Sequence, residues 1–425
     1  MDEVVITGGG VVSPYGFGYQ PFIDGLHSGS VVIGDNPWVP PGDEYFTWYA
    51  PVPDADLSDR LDPKIIDGTD RFARWTLIAV HEALQRAGLA DPPPLRTAVV
   101  IGTSGGGTNS LQRAQHLAST QGPAAVPRKL LIQIWPNMAA SQISMELGLH
   151  GPQLTICSAC ASSIDAIGLA ARMIESGQVD VAIAGGAEGG NGTNDDFVPA
   201  TFYAQRAYGM TTFVPGRLEA SLPMDVQRSG VVTGEGAGIV ILERKSHAEA
   251  RNARILGRVR GWGTVADGYH PSAPEPSGKW EAEAMRQAIL DADCQPDDID
   301  AILAHATGTP KGDGAEIAAI NLLHQDRSTP LYVTSIKGHI GHTGAASGVM
   351  AVLVCLDTFA NKRLPHTAGT VHPDPAVAFD LVMKKPIALD VKRCQINGFG
   401  FGGQNASLVI EAPAQAAPQQ ATSAT

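Results

Sequence analysis

The sequence predicts an α/β protein with a buried sheet, and two observations lead to that fold class. Strand-like runs rich in Val and Ile recur along the 425 residues, and each run ends in Gly, Ser or Thr. Helical patterns separate them: from Arg71 to Leu89 apolar side chains recur every three or four positions, and Gly88 ends the pattern. Strands that alternate with helices are typical of a sheet covered by helices.

The order of these runs is duplicated along the chain. Runs in the first half begin at Val4, Thr97, Gln153, Asp180 and Ala237, and their counterparts begin at Ile255, Ile299, Leu331, Cys394 and Ser407. Because the architecture repeats and the residues do not, we expect two similar α/β halves packed together. We predict domains at residues 1–250 and 251–412, followed by a disordered low-complexity tail at residues 413–425.

Composition excludes several classes of function. The chain carries 30 Lys and Arg against 43 Asp and Glu, a net charge of −13, whereas nucleic-acid binding favours a basic surface. Its 44% hydrophobic and 17% charged residues suit a soluble protein with a large core. The first residues lack a basic region before an apolar stretch, and no uninterrupted apolar run approaches a membrane span. We therefore expect a soluble cytoplasmic protein without a membrane segment.

Cys160 is the first candidate for chemistry. Five cysteines argue against a disulfide framework, and the Cys157–Cys160 pair lacks the context of a redox or zinc site. Cys160 lies where an apolar run gives way to small residues and a helical pattern. Helix N–H groups and the helix dipole would lower the thiol pKa from about 8.5. A buried, inert thiol explains the segment equally well.

Two further segments contain histidines. His305 follows a buried-looking strand, at the sheet edge where α/β proteins bind ligands, although a structural histidine is the favoured reading of this segment alone. Lys337, His339 and His342 share a glycine-rich turn. Because metal sites need three or four ligands and no Cys or acidic residue lies nearby in sequence, we predict no metal.

Glycine-rich loops begin at Gly102 and Asn397. The first lacks the lysine of a phosphate-binding loop, and the second lacks the following helix and acidic residue of a dinucleotide site. Both instead allow backbone N–H groups to approach a ligand oxygen.

Together these segments resemble the β-ketoacyl-[acyl-carrier-protein] synthases, the decarboxylating condensing enzymes of fatty acid and polyketide assembly. The resemblance rests on CSACASS, AHATGTPKGDGAE, SIKGHIGHTGAASG and NGFGFGGQN, in that order, together with PMDVQRSGVVTGEGAG from Pro223. It extends from Val4 to the strand beginning at Ser407. It implies the thiolase fold, two pseudo-duplicated halves in a five-layered α/β/α/β/α sandwich.

The resemblance also implies roles for individual residues. Cys160 resembles the acylated nucleophile, His305 and His342 the two catalytic histidines, and Lys337 the supporting lysine. Phe401 resembles the gating phenylalanine, whose N–H forms an oxyanion hole with that of Cys160.

The substrate side follows from the same resemblance. Thr307 and Thr309 resemble the threonines that meet a phosphopantetheine arm, and Phe399 is a further substrate-binding candidate. No bound cofactor is implied, because the substrates are carried on the phosphopantetheine of an acyl carrier protein. The segment KLLIQIWPNMAA, residues 129–140, would line the acyl pocket and a dimer contact.

The implied function is that of a 3-oxoacyl-[acyl-carrier-protein] synthase of a fatty acid or type II polyketide or polyene pathway. Its partners would be an acyl carrier protein and a second subunit, either identical or a chain-length factor. One alternative is that the chain is itself such a factor, a subunit that has lost its nucleophile. Another is a thiolase, but Cys394 precedes Gln395 and Ile396 rather than forming C-x-G. Basic docking candidates are Lys64, Arg71, Arg74, Arg128, Lys129 and Arg206.

Overall fold

A computed structural model describes residues 2–36, 48–190, 199–212, 214 and 216–414. Its strands are β1 (Val4–Ser13), β2 (Gly16–Phe17), β3 (Gly34–Asp35), β4 (Trp48–Tyr49), β5 (Thr97–Gly102), β6 (Gln153–Ile156), β7 (Val181–Glu188), β8 (Gly236–Arg244), β9 (Gly257–Ala266), β10 (Ala301–Leu303), β11 (Tyr332–Thr334), β12 (Arg363–Leu364), β13 (Asp380–Leu381), β14 (Ile387–Ala388), β15 (Arg393–Gly400) and β16 (Gln404–Glu411). All but the first two residues of the predicted disordered tail lie outside the described residues.

The α-helices alternate with these strands. They are α1 (Tyr19–Ser28), α2 (Pro63–Gly68), α3 (Arg71–Ala87), α4 (Thr108–Gln121), α5 (Leu130–Ile134), α6 (Met138–Leu147), α7 (Ser162–Glu175), α8 (Ala200–Tyr208), α9 (Lys245–Ala250), α10 (Lys279–Asp291), α11 (Pro310–His324), α12 (Lys337–Ile340) and α13 (Ser347–Asn361). The helix predicted from Arg71 is α3, and Gly88 ends it in the left-handed conformation.

The strand order repeats, as the sequence pattern predicted. From one edge to the centre the first half runs β6, β5, β7, β8, β1, and from the other side the second half runs β11, β10, β15, β16, β9, with β13 outside β11. Each half therefore places its five repeated strands in the order third, second, fourth, fifth, first. Antiparallel pairing of β1 with β9, from Val4 opposite Val259 to Ile6 opposite Gly257, joins the two half-sheets.

Helices cover the outer faces of both half-sheets, and two further helices lie between their inner faces. α3 packs on β1 and β8, and α10 packs on β9 and β16. The central helices α7 and α13 share one core cluster with residues of both half-sheets, including Ile164 and Val352. This arrangement is the predicted five-layered sandwich, and the fold class is confirmed.

Small residues allow the helices to approach the sheet closely. A Cβ added at Gly10 in β1 would lie 2.0 Å from the Ala79 carbonyl oxygen of α3, so this glycine permits backbone contact. The segment Gly344–Asn361, which contains α13, has the length and mean hydropathy (1.4) of a membrane-spanning helix, but 78% of it is buried inside the protein. Its apolar character is that of the central core helix.

Candidate active site

Cys160 lies between β6 and α7. It is the middle residue of a 3-10 turn, Ala159–Ala161, that precedes the helix. Ala159 has a φ of +49°, which is unusual for a residue with a Cβ, and its carbonyl accepts a hydrogen bond from the Ser162 hydroxyl at 2.6 Å. The same hydroxyl accepts the Ser158 N–H at 3.0 Å. These bonds hold a sharp turn that presents the Cys160 sulfur to a cavity.

The expectation of a lowered thiol pKa is wrong for the free protein. Burial raises the pKa of Cys160 to about 11, because a thiolate would lose its hydration. The charge of Lys337 and the N–H groups of Phe401 and Cys160 act in the opposite direction but do not outweigh burial. Cys160 is therefore a thiol at rest, and its surroundings include a lysine and two N–H groups that favour negative charge on the sulfur.

His342 contacts the nucleophile directly. Its Nε2 lies 3.0 Å from the Cys160 Sγ, and its Nδ1 lies 2.9 Å from the Ser347 hydroxyl at the start of α13. Burial, followed by the charge of Lys337, lowers the pKa of His342 to about 3. The ring is therefore neutral and held at both nitrogens.

His305 completes the trio from the end of β10. Its ring centroid lies 5.3 Å from that of His342, with the ring planes at 85°. The Glu316 carboxylate accepts the backbone N–H groups of His305, at 2.8 Å, and Ala306, at 2.6 Å. Ala306 has a φ of +21°, so this carboxylate holds a strained turn at the histidine. Burial lowers the pKa of His305 well below its ordinary value, with Lys337 and His342 adding to the effect.

Lys337 is buried close enough to Cys160 and both histidines for its charge to affect their pKa values. Its side chain is 5% exposed, and burial lowers its pKa to about 8, with Glu316 opposing the change. No ion pair within 4.0 Å joins Lys337 to Asp313 or Glu316 among the described contacts. Asp313 instead accepts the N–H groups of Met224 and Gly308, at 2.7 and 3.1 Å. Both carboxylates thus fix the backbone of the His305 loop.

The two phenylalanines occupy different positions. The N–H of Phe401 hydrogen bonds the Cys160 sulfur and lowers its pKa, as an oxyanion-hole donor would. Its ring is 45% exposed and lies 6.4 Å from the Tyr208 ring. The buried ring of Phe399 packs edge-on against His305, with centroids 6.0 Å apart.

A cavity of about 700 Å³ brings most of the predicted residues together. Its lining includes Cys160, His305, His342, Thr307, Thr309, Phe399 and Phe401. The two threonine hydroxyls lie 3.0 Å apart. Lys337 is not part of this lining, and neither is any residue of the 129–140 segment. The predicted acyl-pocket role of that segment is therefore not seen in this single chain.

Sequence reasoning missed three carboxyl groups in the lining, Glu188, Asp267 and Glu281. Glu188 ends β7 and accepts the N–H groups of Ser104, Gly105 and Ala345, at 3.2, 3.0 and 3.2 Å. It therefore ties the Gly102 loop to the turn that follows His342. Its position at the carboxyl end of a buried strand was the signal that would have identified it.

Two other sequence candidates lie apart from the chemistry. His339 turns away, with its ring nitrogens 3.2 and 2.8 Å from the carbonyl oxygens of Ser30 and His366. Cys157 is an exposed free thiol and forms no disulfide with Cys160.

The site also satisfies part of a metal-binding pattern. The Cys160 sulfur and one nitrogen each of His305 and His342 lie within 4.8 Å of one another. Both histidines lie in the second half of the chain and Cys160 in the first, so the residues near the histidines in sequence gave no sign of this third ligand. A metal at this position would be bound by the sulfur and both imidazoles, as in three-ligand catalytic zinc sites. That the protein needs no metal there remains a prediction.

The pH dependence of Cys160 alkylation tests whether burial outweighs the groups that lower the thiol pKa. In a Cys157→Ser background, we expect the rate of iodoacetamide labelling to rise with pH, with a midpoint above the about 8.5 of a free thiol. Because the pKa of Lys337 is about 8, this lysine has lost most of its charge before the thiol titrates, so Lys337→Met should leave the midpoint nearly unchanged. Lys337→Arg stays charged throughout and should move the midpoint to lower pH. Peptide mass spectrometry measures labelling at Cys160, and a midpoint below about 8.5 would contradict the burial argument.

Comparisons with known proteins agree with this geometry. Residues 1–248 match the family model of the beta-ketoacyl synthase N-terminal domain, and residues 256–370 match that of the C-terminal domain. A 3-oxoacyl-[acyl-carrier-protein] synthase 2 of Staphylococcus aureus is 33% identical over 412 residues, covering 96% of this chain and 98% of the relative.

Solved structures give the same result. The ishigamide ketosynthase/chain length factor superposes with a TM-score of 0.89 at 28% identity, covering 97% of this chain and 99% of that chain. A beta-ketoacyl synthase from Burkholderia phymatum superposes with a TM-score of 0.87 at 28% identity, covering 97% of this chain and all of that one. The chain therefore belongs to the beta-ketoacyl synthase family of condensing acyltransferases.

Proposed function

We propose that this chain is a 3-oxoacyl-[acyl-carrier-protein] synthase that is acylated on Cys160 and condenses that acyl group with a malonyl thioester. The observation that carries the proposal is the 3.0 Å contact between the Cys160 sulfur and His342, with the His305 ring at 85° to that of His342. A thiol, two neutral imidazoles and a backbone N–H converge on one point of the cavity.

Acylation begins with attack of the Cys160 sulfur on a donor thioester. The thiol proton passes to the leaving thiolate of the donor, while an N–H at His342 Nε2, 3.0 Å from the sulfur, stabilises the negative charge that develops there. The tetrahedral intermediate carries an oxyanion, and the N–H groups of Cys160 and Phe401 are its donors. The C–S bond of the donor breaks as the bond to Cys160 forms.

Decarboxylation uses the histidines. The malonyl thioester loses CO₂, and the electrons of the broken C–C bond move to the thioester oxygen as an enolate. Neutral His305 and His342 each offer an N–H to that oxygen, and their depressed pKa values keep them neutral at pH 7. The enolate carbon then attacks the acyl carbonyl, and Cys160 leaves as a thiolate that takes up a proton from water. The product is a 3-oxoacyl thioester.

Neither alternative function fits the site as well. A chain-length factor lacks the nucleophile, whereas here Cys160 and both histidines are in contact range. A thiolase needs a second reactive cysteine, but Cys394 is fully buried in β15 beside Cys355. Among the described lining residues, Cys160 is the sole cysteine.

A second subunit is part of the proposal. The outer edge of β6 is unpaired within the described sheet, and exposed edges of this kind pair readily with another chain. Exposed apolar side chains lie on β6 and on the nearby helices and turn: Leu111, Leu131, Ile132, Trp135, Met145 and Leu154. We propose that this face binds an identical subunit or a chain-length factor.

The pathway and the carrier are also proposals. The chain would act in the cytoplasm, in fatty acid or type II polyketide or polyene synthesis, on substrates held by the phosphopantetheine of an acyl carrier protein. Thr307 and Thr309 would meet that arm.

Three of the basic docking candidates are better placed than the others to bind an acyl carrier protein. Lys64, Arg128 and Lys129 are exposed, and Lys129 reaches Asp67 of α2 at 2.8 Å, which places it beside Lys64. Arg74 instead donates to the Thr69 carbonyl, at 3.0 and 2.7 Å, and Arg71 lies over the Trp75 ring. Arg206 makes contacts within the chain.

Cys160→Ala should abolish the acyl-enzyme, because no other described thiol lies in the cavity. Intact-mass analysis after incubation with acyl carrier protein should show the acyl increment on the wild-type chain and on the Cys157→Ala control only. An equal increment on the Cys160→Ala variant would remove Cys160 from the nucleophile role.

His305→Ala and His342→Ala should slow malonyl decarboxylation by about 10²–10³-fold each, the usual effect of losing one oxyanion donor. Self-acylation should fall less, because its oxyanion is held by backbone N–H groups. CO₂ release and acyl-enzyme formation measure the two steps, with His81→Ala at the surface as control. Equal loss of both steps would argue against the enolate role.

Arg128→Glu should weaken binding of an acyl carrier protein, and the loss should shrink as salt is raised, because the interaction is between charges at a surface. Titration at two ionic strengths measures it. Lys392→Glu makes the same change of charge on the other half and should have no effect. Unchanged binding by Arg128→Glu would exclude this residue from the interface.

A further inference from the structure

Glu281 is a buried carboxyl group that the proposed mechanism does not use. It lies in the first turn of α10, is 2% exposed, and lines the same cavity as Cys160. Its Oε2 is buried and has no hydrogen-bond partner. Buried polar atoms in native proteins nearly always have partners, so an unpaired oxygen in a ligand cavity calls for a ligand group.

The neighbouring carboxylates make the contrast clear. Asp267 accepts the side-chain N–H of Asn405, Asp313 accepts two backbone N–H groups, and Glu316 accepts two more. Each of these groups has a structural task. Glu281 lies near them without one, and it lines the cavity.

Its position identifies the part of the substrate that it faces. α10 begins against α11, since a Cβ added at Gly278 would lie 2.3 Å from the Ala315 carbonyl oxygen. α11 starts directly after Thr309, and Thr307, Thr309 and Glu281 all line the cavity. The packing of α10 on α11 therefore brings Glu281 into the same cavity as the threonines proposed to meet the phosphopantetheine arm.

The protonation state of Glu281 suits a neutral ligand. Burial raises its pKa well above the ordinary range, and the nearby carboxyls of Glu316, Asp267, Asp313 and Glu275 act in the same direction. A protonated carboxyl has an O–H donor and a C=O acceptor side by side. A secondary amide presents the complementary N–H and C=O groups.

We propose that Glu281 is a substrate-binding residue that hydrogen bonds an amide of the pantetheine arm, which rests on the proposed function of the same site. It acts on the arm and not on the reacting carbon. Its contribution therefore appears in the KM of donors that carry the amide.

Donors with and without amides test this role. Glu281→Met removes the carboxyl at similar length, Glu281→Gln keeps a donor and an acceptor, and Glu283→Gln changes charge on the same helix outside the cavity. We expect Glu281→Met to raise the KM for acyl-pantetheine about three- to ten-fold, the value of one neutral hydrogen bond, with kcat nearly unchanged. The amide-free acyl S-ethyl thioester should show no change, and Glu281→Gln and Glu283→Gln should behave as the wild-type chain does.

The outcomes distinguish failure of the amide contact from failure of the proposed function. Equal effects on both donors, or none on either, would overturn the amide contact while acylation of Cys160 by the wild-type chain upholds the function. No acylation of the wild-type chain would instead overturn the function. If Glu281→Met does not fold, infrared difference spectra decide: the protonated carboxyl band should shift when pantetheine is added to the wild-type chain and be absent in Glu281→Gln. A band that does not shift would refute the contact.

Discussion

The close contact between the two central helices is the constraint on which the site depends. Near their first turns α7 and α13 meet through small residues: the Val349 N–H donates to the Ser163 hydroxyl at 3.1 Å, and a Cβ at Gly348 would lie 2.4 Å from Ile164. Cys160 and His342 precede these helices in the two halves of the chain. A nucleophile and an imidazole 182 positions apart therefore meet at 3.0 Å because two equivalent helices pack at their N-terminal ends. A larger residue at 348 would move the histidine away from the sulfur.

Burial, more than any charge pair, sets the chemistry of this contact. Desolvation is the leading cause of the raised pKa of Cys160 and of the lowered pKa values of His305 and His342. Lys337 modifies both effects from behind the cavity wall, since its charge favours thiolate over thiol and neutral imidazole over imidazolium. The result is a buried site in which the thiol and both imidazoles are neutral at rest. In the proposed reaction, developing negative charge would meet fixed N–H donors, which need no reorganisation as the charge appears.

The sequence predicted the topology because strand-like runs in the same order imply two equivalent halves. Its local patterns left the site open, since the Cys160 segment fitted an inert thiol equally well and the His305 segment favoured a structural histidine. Only the resemblance to a family of condensing enzymes joined these residues into one expected site. The sequence did not predict the sign of the thiol pKa shift, because a helix start is visible in a sequence and the depth of burial is not. Glu281 was also missed. Its spacing on α10 is that of an ordinary helical glutamate, and only packing against α11 reveals that it is buried.

The buried histidines and the buried carboxyl groups of the site have opposite effects on how the stability of the protein changes with pH. The depressed pKa values of His305 and His342 mean that the unfolded chain binds more protons, so their contribution is lost as pH falls below about 6.5. Asp313, raised to about 7, and Glu316 bind more protons when folded, so their contribution is lost as pH rises from about 4 through the folded pKa. The two slopes have opposite signs over an overlapping range and partly cancel. Above about pH 6.5 the histidines are neutral in both states, so the pH dependence of stability near neutral pH comes mainly from the carboxyls that hold the His305 loop.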